Sequence, residues 1–138
     1  MSNMSNVTNN DEFVEKHMGM CYHYKSHHNI AALVYKLYKN KFRYRGRGQW
    51  DYLDVDGEWK VDRKTMKLRN ELRSYVSNLF LQKYLSVSGN PGYFEYHMED
   101  RAIEILRVSY KLKMNTFMST IIKEASAFFD IYNDDQSE

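Results

Sequence analysis

Apolar and polar side chains alternate on both sides of the Asp56-Gly57 dipeptide. This period of two is typical of half-buried strands, and Asp-Gly favours the two positive-φ positions of a type I′ turn. The pattern therefore predicts a β-hairpin over 49–63, with Trp50 and Tyr52 on one face. Because a two-stranded ribbon is only marginally stable in water, we expect residues 42–45 to supply a third strand.

Four other segments repeat apolar residues at intervals of three or four, which predicts amphipathic helices. They are residues 29–40, 64–85, 99–112 and 116–132. Ser26 or Asn29 can cap the first helix, and Asn40 is expected to end it in the left-handed conformation. Pro91, the only proline, marks a break before the third helix.

The periodicity also predicts which side chains of the last three helices face the core. In the second helix, the expected spine of the core, they are Leu68, Leu72, Tyr75, Val76, Leu79 and Phe80. In the third and fourth helices they are Ala102, Ile103, Leu106, Tyr110, Phe117, Met118, Ile121, Ile122, Ala125, Phe128, Phe129 and Tyr132.

The order of these elements predicts an α+β fold, with about four helices packed around a small three-stranded antiparallel meander. The sequence has 138 residues, which is enough for one domain with a core that needs no disulfide or metal. We expect a flexible polar arm at 1–11, a single globular domain at 12–132 and an acidic tail at 133–138.

Composition changes this prediction only slightly. The formal net charge of +2 is too small by itself to indicate a nucleic-acid binder, whereas the twelve tyrosines indicate a dense core or a contact surface. A single cysteine excludes an internal disulfide, and no apolar run reaches the roughly 18 residues that a membrane span needs. With no signal peptide pattern, the protein is expected to be intracellular and without a membrane span.

A cluster of potential zinc ligands lies near the N-terminal end, at His17, Cys21, His23, His27 and His28. Imidazole and thiolate groups are the usual ligands of zinc. Their spacing matches no zinc-site pattern, so exposed histidines beside a partly buried cysteine are the favoured interpretation. We predict neither a metal nor a cofactor.

Motifs for catalysis are missing from the sequence. It contains no phosphate-binding P-loop, and its one cysteine has no surrounding motif of a nucleophile. Asp51, Asp54 and Asp56 could in principle bind a divalent ion, but acids on the exposed face of a hairpin commonly prevent sheet aggregation. The protein is therefore predicted not to be an enzyme.

Six basic residues lie within positions 36–47, interleaved with aromatic residues, and a second basic set runs from Lys60 to Arg73. Cations that reach phosphates beside aromatic rings that stack on bases are typical of single-strand binders. We expect the two sets to meet at one corner of the fold. The predicted nucleic-acid-binding residues are Lys39, Lys41, Arg43, Tyr44, Arg45, Arg47 and Trp50, with Tyr44 and Trp50 as the stacking rings.

The sequence also resembles a known family. The matching segments are Tyr35-Lys36-Leu37-Tyr38, Gln49-Trp50-Asp51-Tyr52, Gly57-Glu58-Trp59, the run from Lys111 to Phe117, Ile121-Ile122-Lys123-Glu124 and Phe128-Phe129. Over about 28–133 they are similar to the segment that precedes the ATPase in poxvirus-type primase-helicases of large DNA viruses, and to related phage and plasmid primases. Neither the helicase P-loop nor the catalytic acids of the primase are present, so the resemblance implies an accessory domain without those activities.

These observations leave two functions open. The first is a non-enzymatic viral accessory domain that binds single-stranded nucleic acid or viral replication proteins in the infected host cell. The alternative is a structural protein, such as a minor virion or capsid component, because tyrosine and arginine are enriched where proteins meet.

Overall fold

The computed structural model describes residues 26–88 and 98–132. Within these ranges it has four helices and a three-stranded antiparallel sheet, which confirms the predicted α+β class. The elements in chain order are α1 (His27–Tyr38), β1 (Phe42–Tyr44), β2 (Trp50–Leu53), β3 (Trp59–Val61), α2, α3 (Met98–Lys111) and α4 (Asn115–Phe129). The long helix α2 has three consecutive parts: Met66–Glu71, a π-helical turn at Leu72–Val76, and Ser77–Ser88.

The ends of α1 show one correct and one wrong prediction. Ser26 caps the helix, because its hydroxyl accepts a hydrogen bond from the backbone N–H of Asn29 at 3.3 Å. Asn40 does not adopt a left-handed conformation. Instead, the N–H of Lys41 donates to the carbonyl of Tyr38 at 2.8 Å, so a tight right-handed turn leads straight into β1.

The predicted hairpin between β2 and β3 is present, but its turn is not type I′. Only Gly57 has a positive φ, of 85°, and Asp56 does not. The N–H of Gly57 donates to the carbonyl of Asp54, and the N–H of Asp54 donates to the carbonyl of Glu58. This is a three-residue loop with a left-handed glycine at its end, in which one extra residue, Val55, removes the need for a positive φ at Asp56.

Positive φ at two consecutive turn positions occurs instead between β1 and β2. Arg47 and Gly48 have φ values of 55° and 75°, and the N–H of Gln49 donates to the carbonyl of Gly46 at 3.0 Å. The sheet order is β1-β2-β3, and the pairs Phe42 with Tyr52 and Tyr44 with Trp50 share its inner face.

The helix α2 begins two residues later than its periodicity predicts. Lys64 and Thr65 have φ values of 55° and 52°, a left-handed conformation that costs roughly 1–2 kcal/mol per non-glycine residue. The buried carboxylate of Asp62 offsets this cost by accepting the N–H groups of Lys67 and Leu68 at 2.8 and 3.0 Å. The chain thus makes a sharp corner before the helix.

The core lies between the inner face of the sheet and the four helices. α1 packs on α4 and α2 packs on α3, while Phe129 of α4 places its ring 5.2 Å from that of Trp50. The fully buried side chains include Ile30, Leu33, Leu68, Leu72, Phe80, Leu112, Met118 and Ile121. In α4 the expected apolar stripe is correct except at its end, where Tyr132 is exposed.

The predicted core faces of α2 and α3 are partly wrong. Tyr75, Ile103 and Tyr110 are exposed. The π-helical turn adds a residue and rotates Tyr75 outward. Where α2 and α3 meet, the hydroxyls of Ser77 and Ser109 each bond to the carbonyl of the other residue, at 2.8 and 3.0 Å, so small polar residues occupy the contact. Among the side chains described in α3 and the residue after it, the buried ones are Ala102, Ile105, Val108, Ser109 and Leu112.

Several sequence predictions lie outside the described residues. They concern the polar arm 1–11, the acidic tail 133–138, the break at Pro91, and His17, Cys21 and His23. Within the described part of the chain, no group of three acidic, histidine or cysteine side chains could hold a metal ion. None of the described helices is both long and apolar enough to cross a membrane.

Candidate nucleic-acid interface

The structure separates the predicted binding residues instead of gathering them on one surface. Lys39 and Lys41 are exposed at the end of α1 and before β1, where Lys41 shares a depression with Lys67 and Glu71. Arg43 lies on the outer face of the sheet, and Arg47 is exposed in the β1–β2 turn. Strand alternation would place these odd-numbered cations on one face, but only Arg43 lies within β1, whereas Lys39 and Lys41 precede the strand and Arg47 lies in the turn after it.

Two of the predicted phosphate-binding arginines are engaged within the protein. The Nε atoms of Arg43 and Arg45 lie 2.8 and 2.9 Å from the same carboxylate oxygen of Asp51, which is buried. Arg43 donates a well-aligned hydrogen bond, whereas the Nε of Arg45 has no aligned acceptor among the described residues. A shared carboxylate neutralises part of both charges, so these arginines are weaker phosphate ligands than the sequence predicts.

Trp50, predicted to stack on bases, is a core residue and only 3% exposed. Its ring contacts those of Tyr44 and Phe129, at centroid distances of 5.3 and 5.2 Å. Stacking on a base would require the core to open, so Trp50 is not a stacking residue in this structure. Tyr44 is half-buried, and its hydroxyl accepts the N–H of Gly48 at 2.8 Å.

Three open depressions with basic walls lie side by side along α2, and together we call them the basic groove. Their volumes are 440, 490 and 510 Å³. The first two share Lys64 and Arg69, and the last two share Arg73. Among the described residues that line it, none is acidic, and the cations are Lys64, Arg69, Arg73, Lys113 and Lys123.

The groove joins segments that are distant in sequence. Tyr44 and Gly48 form one end with Lys64 and Lys123, and Ser74 and Asn78 lie at the other. From Met66 to Asn78 the helical rise gives a length of about 18 Å. The two basic sets do not meet in this groove, because Tyr44 and Gly48 line it but no cation of the first set does. Lys41 and Lys67, one from each set, share a separate depression with Glu71. Ser119 and Lys123 of α4 supply the rest of the wall.

Arg69 sits at the centre of the basic groove and is held in place by neutral groups. Its guanidinium donates to the Thr65 hydroxyl at 3.0 Å, the Asn115 carbonyl at 3.2 Å and the Ser119 hydroxyl at 2.6 Å. These bonds join the start of α2 to the start of α4. Because no carboxylate takes part, the positive charge of Arg69 is positioned without being neutralised.

The other cations of the groove are open to solvent. Lys64, Arg73, Lys113 and Lys123 are exposed and form no ion pair with a described residue. Arg73 donates only to the side-chain oxygen of Asn70, at 3.0 Å. Hydroxyl groups of Thr65, Thr116, Ser119 and Ser126 lie between these cations. Alternating cations and hydroxyls can bind the oxygens of several phosphates.

The acids of the hairpin have a different role. Lys60 bonds to the carboxylates of Asp54 and Asp56, and the hydrogen bond from Lys60 lowers the pKa of Asp54 below its usual range. The same bonds raise the pKa of Lys60. These groups close the turn and compensate one another's charge.

All five cations of the basic groove, and Trp59 on the outer sheet face, were absent from the predicted binding set. Trp59 is 36% exposed on the outer face of the sheet, with the Arg43 guanidinium 4.5 Å from its ring. The exposure of Trp59 could have been inferred from strand alternation, because in an antiparallel register Trp50 and Trp59 can face opposite sides of the sheet. Lys123 stands between Ile122 and Glu124, and nothing local associates it with Lys64 or Tyr44.

Comparisons of the chain with models of known protein families and with curated proteins found no match. The resemblance to the pre-helicase segment of viral primase-helicases therefore stays a prediction.

Proposed function

We propose that this protein is a non-enzymatic accessory domain that binds single-stranded nucleic acid in the basic groove. The observation that carries the proposal is the composition of the groove wall, with five cations and no acid among the described lining residues. A positively charged channel that follows a backbone is the common feature of proteins that bind single strands without reading sequence.

The clustering of cations in the groove is important for this proposal, because the net charge of the whole protein is small. A net charge of +2 on 138 residues gives little long-range attraction to a polyanion. Within the groove the cations lie on one concave surface about 18 Å long, which matches a few phosphates of an extended strand. Tyr44 at one end and the half-exposed Tyr75 at the other add aromatic surface beside the phosphate path.

The conformation of Lys64 supports a binding role for this wall. The residue lines two of the three depressions and is held in the left-handed region by the Asp62 cap. Strained backbone of this kind is concentrated at functional sites, where it fixes a side chain that regular structure would direct elsewhere. Here it places a lysine at the mouth of the groove, beside Arg69.

The test is a matched pair of charge-reversal variants in a binding assay with a fluorescent oligothymidylate. Arg73→Glu with Lys123→Glu changes the groove, whereas Lys39→Glu with Lys41→Glu changes two exposed cations outside it by the same total charge. We expect the groove variant to bind more weakly. The slope of the logarithm of its binding constant against the logarithm of the salt concentration should become shallower by about 1.4, roughly 0.7 for each lost phosphate contact.

The control variant should keep the salt dependence of the unmodified protein. Equal weakening of both variants would mean that only net charge matters, and selective weakening of the Lys39 and Lys41 variant would restore the surface predicted from sequence. Either result would overturn the proposed site. A duplex of the same length tests the preference for single strands, and tighter binding of the duplex would contradict that preference.

A further inference from the structure

The outer face of the sheet carries an apolar cluster that none of the four helices covers. Leu53, Trp59 and Val61 share this face, and they are 37%, 36% and 48% exposed. Leu53 and Trp59 are direct cross-strand partners, and Val61 is paired with Asp51 on the same face. Three neighbouring apolar side chains of this size form a contact surface, whereas single exposed ones are ordinary.

The same face ends at an open sheet edge. The sheet order leaves β3 with β2 on one side and no described strand on the other. The carbonyl of Glu58 accepts from Asp54, and the N–H of Asp62 donates to Trp50, so residues 58 and 62 bond toward β2. The alternation of an antiparallel ladder then turns the backbone N–H and C=O groups of Trp59 and Val61 toward the open edge.

The outer face of the sheet carries a small excess of positive charge. Arg43 reaches across β2 to lie 4.5 Å from the Trp59 ring, which brings a guanidinium close to the edge strand. Arg43 and Arg45 share the one carboxylate of Asp51, so two positive charges face one negative charge. The excess is one positive charge beside apolar side chains, which is complementary to an apolar segment that contains an acid.

We propose that β3 binds an extended segment of a partner protein as a fourth strand, with apolar and acidic side chains alternating onto the outer face. Trp59 and Val61 supply both the open backbone groups and the side chains that such a strand would cover. This surface lies on the opposite side of the sheet from Tyr44 and the basic groove, so the inference does not depend on the proposed function.

A protein segment fits this face better than nucleic acid. The aliphatic side chains of Leu53 and Val61 offer no ring for a base, and the Trp59 ring already has the Arg43 guanidinium over it at 4.5 Å. Tryptophan and arginine are the residues enriched at the energetic centres of protein interfaces, and both are present in contact here.

The experiment is a two-dimensional NMR titration of the full chain with the peptide Thr-Val-Thr-Glu-Thr-Val-Thr, whose valines and glutamate lie on one face of a strand. We expect saturable shifts and slowed hydrogen exchange at the amides of Trp59 and Val61. The peptide with lysine in place of glutamate should bind several-fold more weakly, because it meets the excess positive charge.

Two variants serve as controls. Val61→Pro removes an N–H that points away from β2, so the ladder is retained and peptide binding should be lost. Arg43→Gln leaves Arg45 with Asp51 and should abolish the preference for glutamate over lysine. Circular dichroism checks that each variant is folded, and the two wild-type titrations decide the question even if a variant is not.

Four outcomes would overturn the inference. The first is slow exchange of the Trp59 and Val61 amides in the free protein, which would mean that the edge is already covered. The second is equal binding of the two peptides. The third is dimerisation of the chain through β3 in sedimentation experiments, and the fourth is a shift of these amides with oligothymidylate but not with peptide. The third would assign the surface to a second copy of this chain, and the last would assign it to nucleic acid.

Discussion

At the residue scale, the two tryptophans show what sequence reasoning can and cannot determine. Both flank the hairpin, and both strand faces carry bulky side chains, so the sequence does not show which ring is buried. Trp50 is the buried one, because the ring of Phe129 packs on it from the inner side of the sheet. That contact spans almost eighty positions of the chain, and no local pattern encodes it.

Asp62 is the single residue on which the corner before α2 depends most. Its carboxylate satisfies two backbone N–H groups, and one of them, at Leu68, is fully buried. Asp62→Ala is expected to lower the free energy of unfolding by about 1–2 kcal/mol, the usual range for loss of a helix cap. Chemical denaturation measures this change.

Asp56→Ala is the matched control for that measurement. Its side chain also accepts a backbone N–H, from Glu58, but in an exposed turn where water can replace the bond. We expect a clearly smaller loss than for Asp62→Ala. Equal losses would mean that Asp62 contributes no more than an exposed turn residue, and that another contact offsets the left-handed backbone at Lys64 and Thr65.

At the element scale, the period of the apolar residues predicts the helices well and their orientation less well. α4 is correct along nearly its whole length because its stripe is continuous. In α2 and α3 the helices exist as predicted, but the π-helical turn and the Ser77–Ser109 contact shift the buried face. Neither feature has a hydrophobic signature, so a pattern of apolar residues cannot reveal them.

The hairpin between β2 and β3 makes a prediction about pH. The pKa of Asp54 is lowered mainly by the hydrogen bond from Lys60, with a further small contribution from the charge of Lys67. A carboxyl group whose pKa is lower in the folded state stabilises the fold above its unfolded pKa, and this contribution is lost as the pH falls through the folded value.

Replacement of Lys60 by methionine is therefore expected to raise the pKa of Asp54 towards its ordinary value, and Lys67→Met is expected to raise it much less. NMR titration of the carboxyl carbon of Asp54 measures both. A larger rise in the Lys67 variant would show that the charge of the helix, and not the turn, controls this carboxylate.

At the scale of the whole molecule, the basic groove is the feature that the sequence predicts least completely. Only one of its components is visible as a charge run, the basic set to which Lys64, Arg69 and Arg73 belong. The wall that α4 supplies is not visible in the sequence, because Ser119 and Lys123 are about fifty residues away from Arg69 along the chain. A site formed by three segments requires the tertiary structure.

The charges of this nearly neutral protein are distributed unevenly over its described surface. Arg43 and Arg45 are partly neutralised by Asp51, and Lys60 is neutralised by Asp54 and Asp56. The cations of the groove have no such partners among the described residues. Exposed cations also lie outside the groove, at Lys39, Lys41 and Arg47, but in the groove five cations lie together without an acid among the described lining residues.

The most direct test of the central claim is a map of the backbone amides that respond when the isotopically labelled protein is titrated with a short oligothymidylate. If the strand binds in the basic groove, the shifts will cluster at residues 64–78 and 113–126 and will weaken as salt is added. Shifts confined to the β1–β2 turn or the outer sheet face, or no saturable shift at low salt, would contradict the claim.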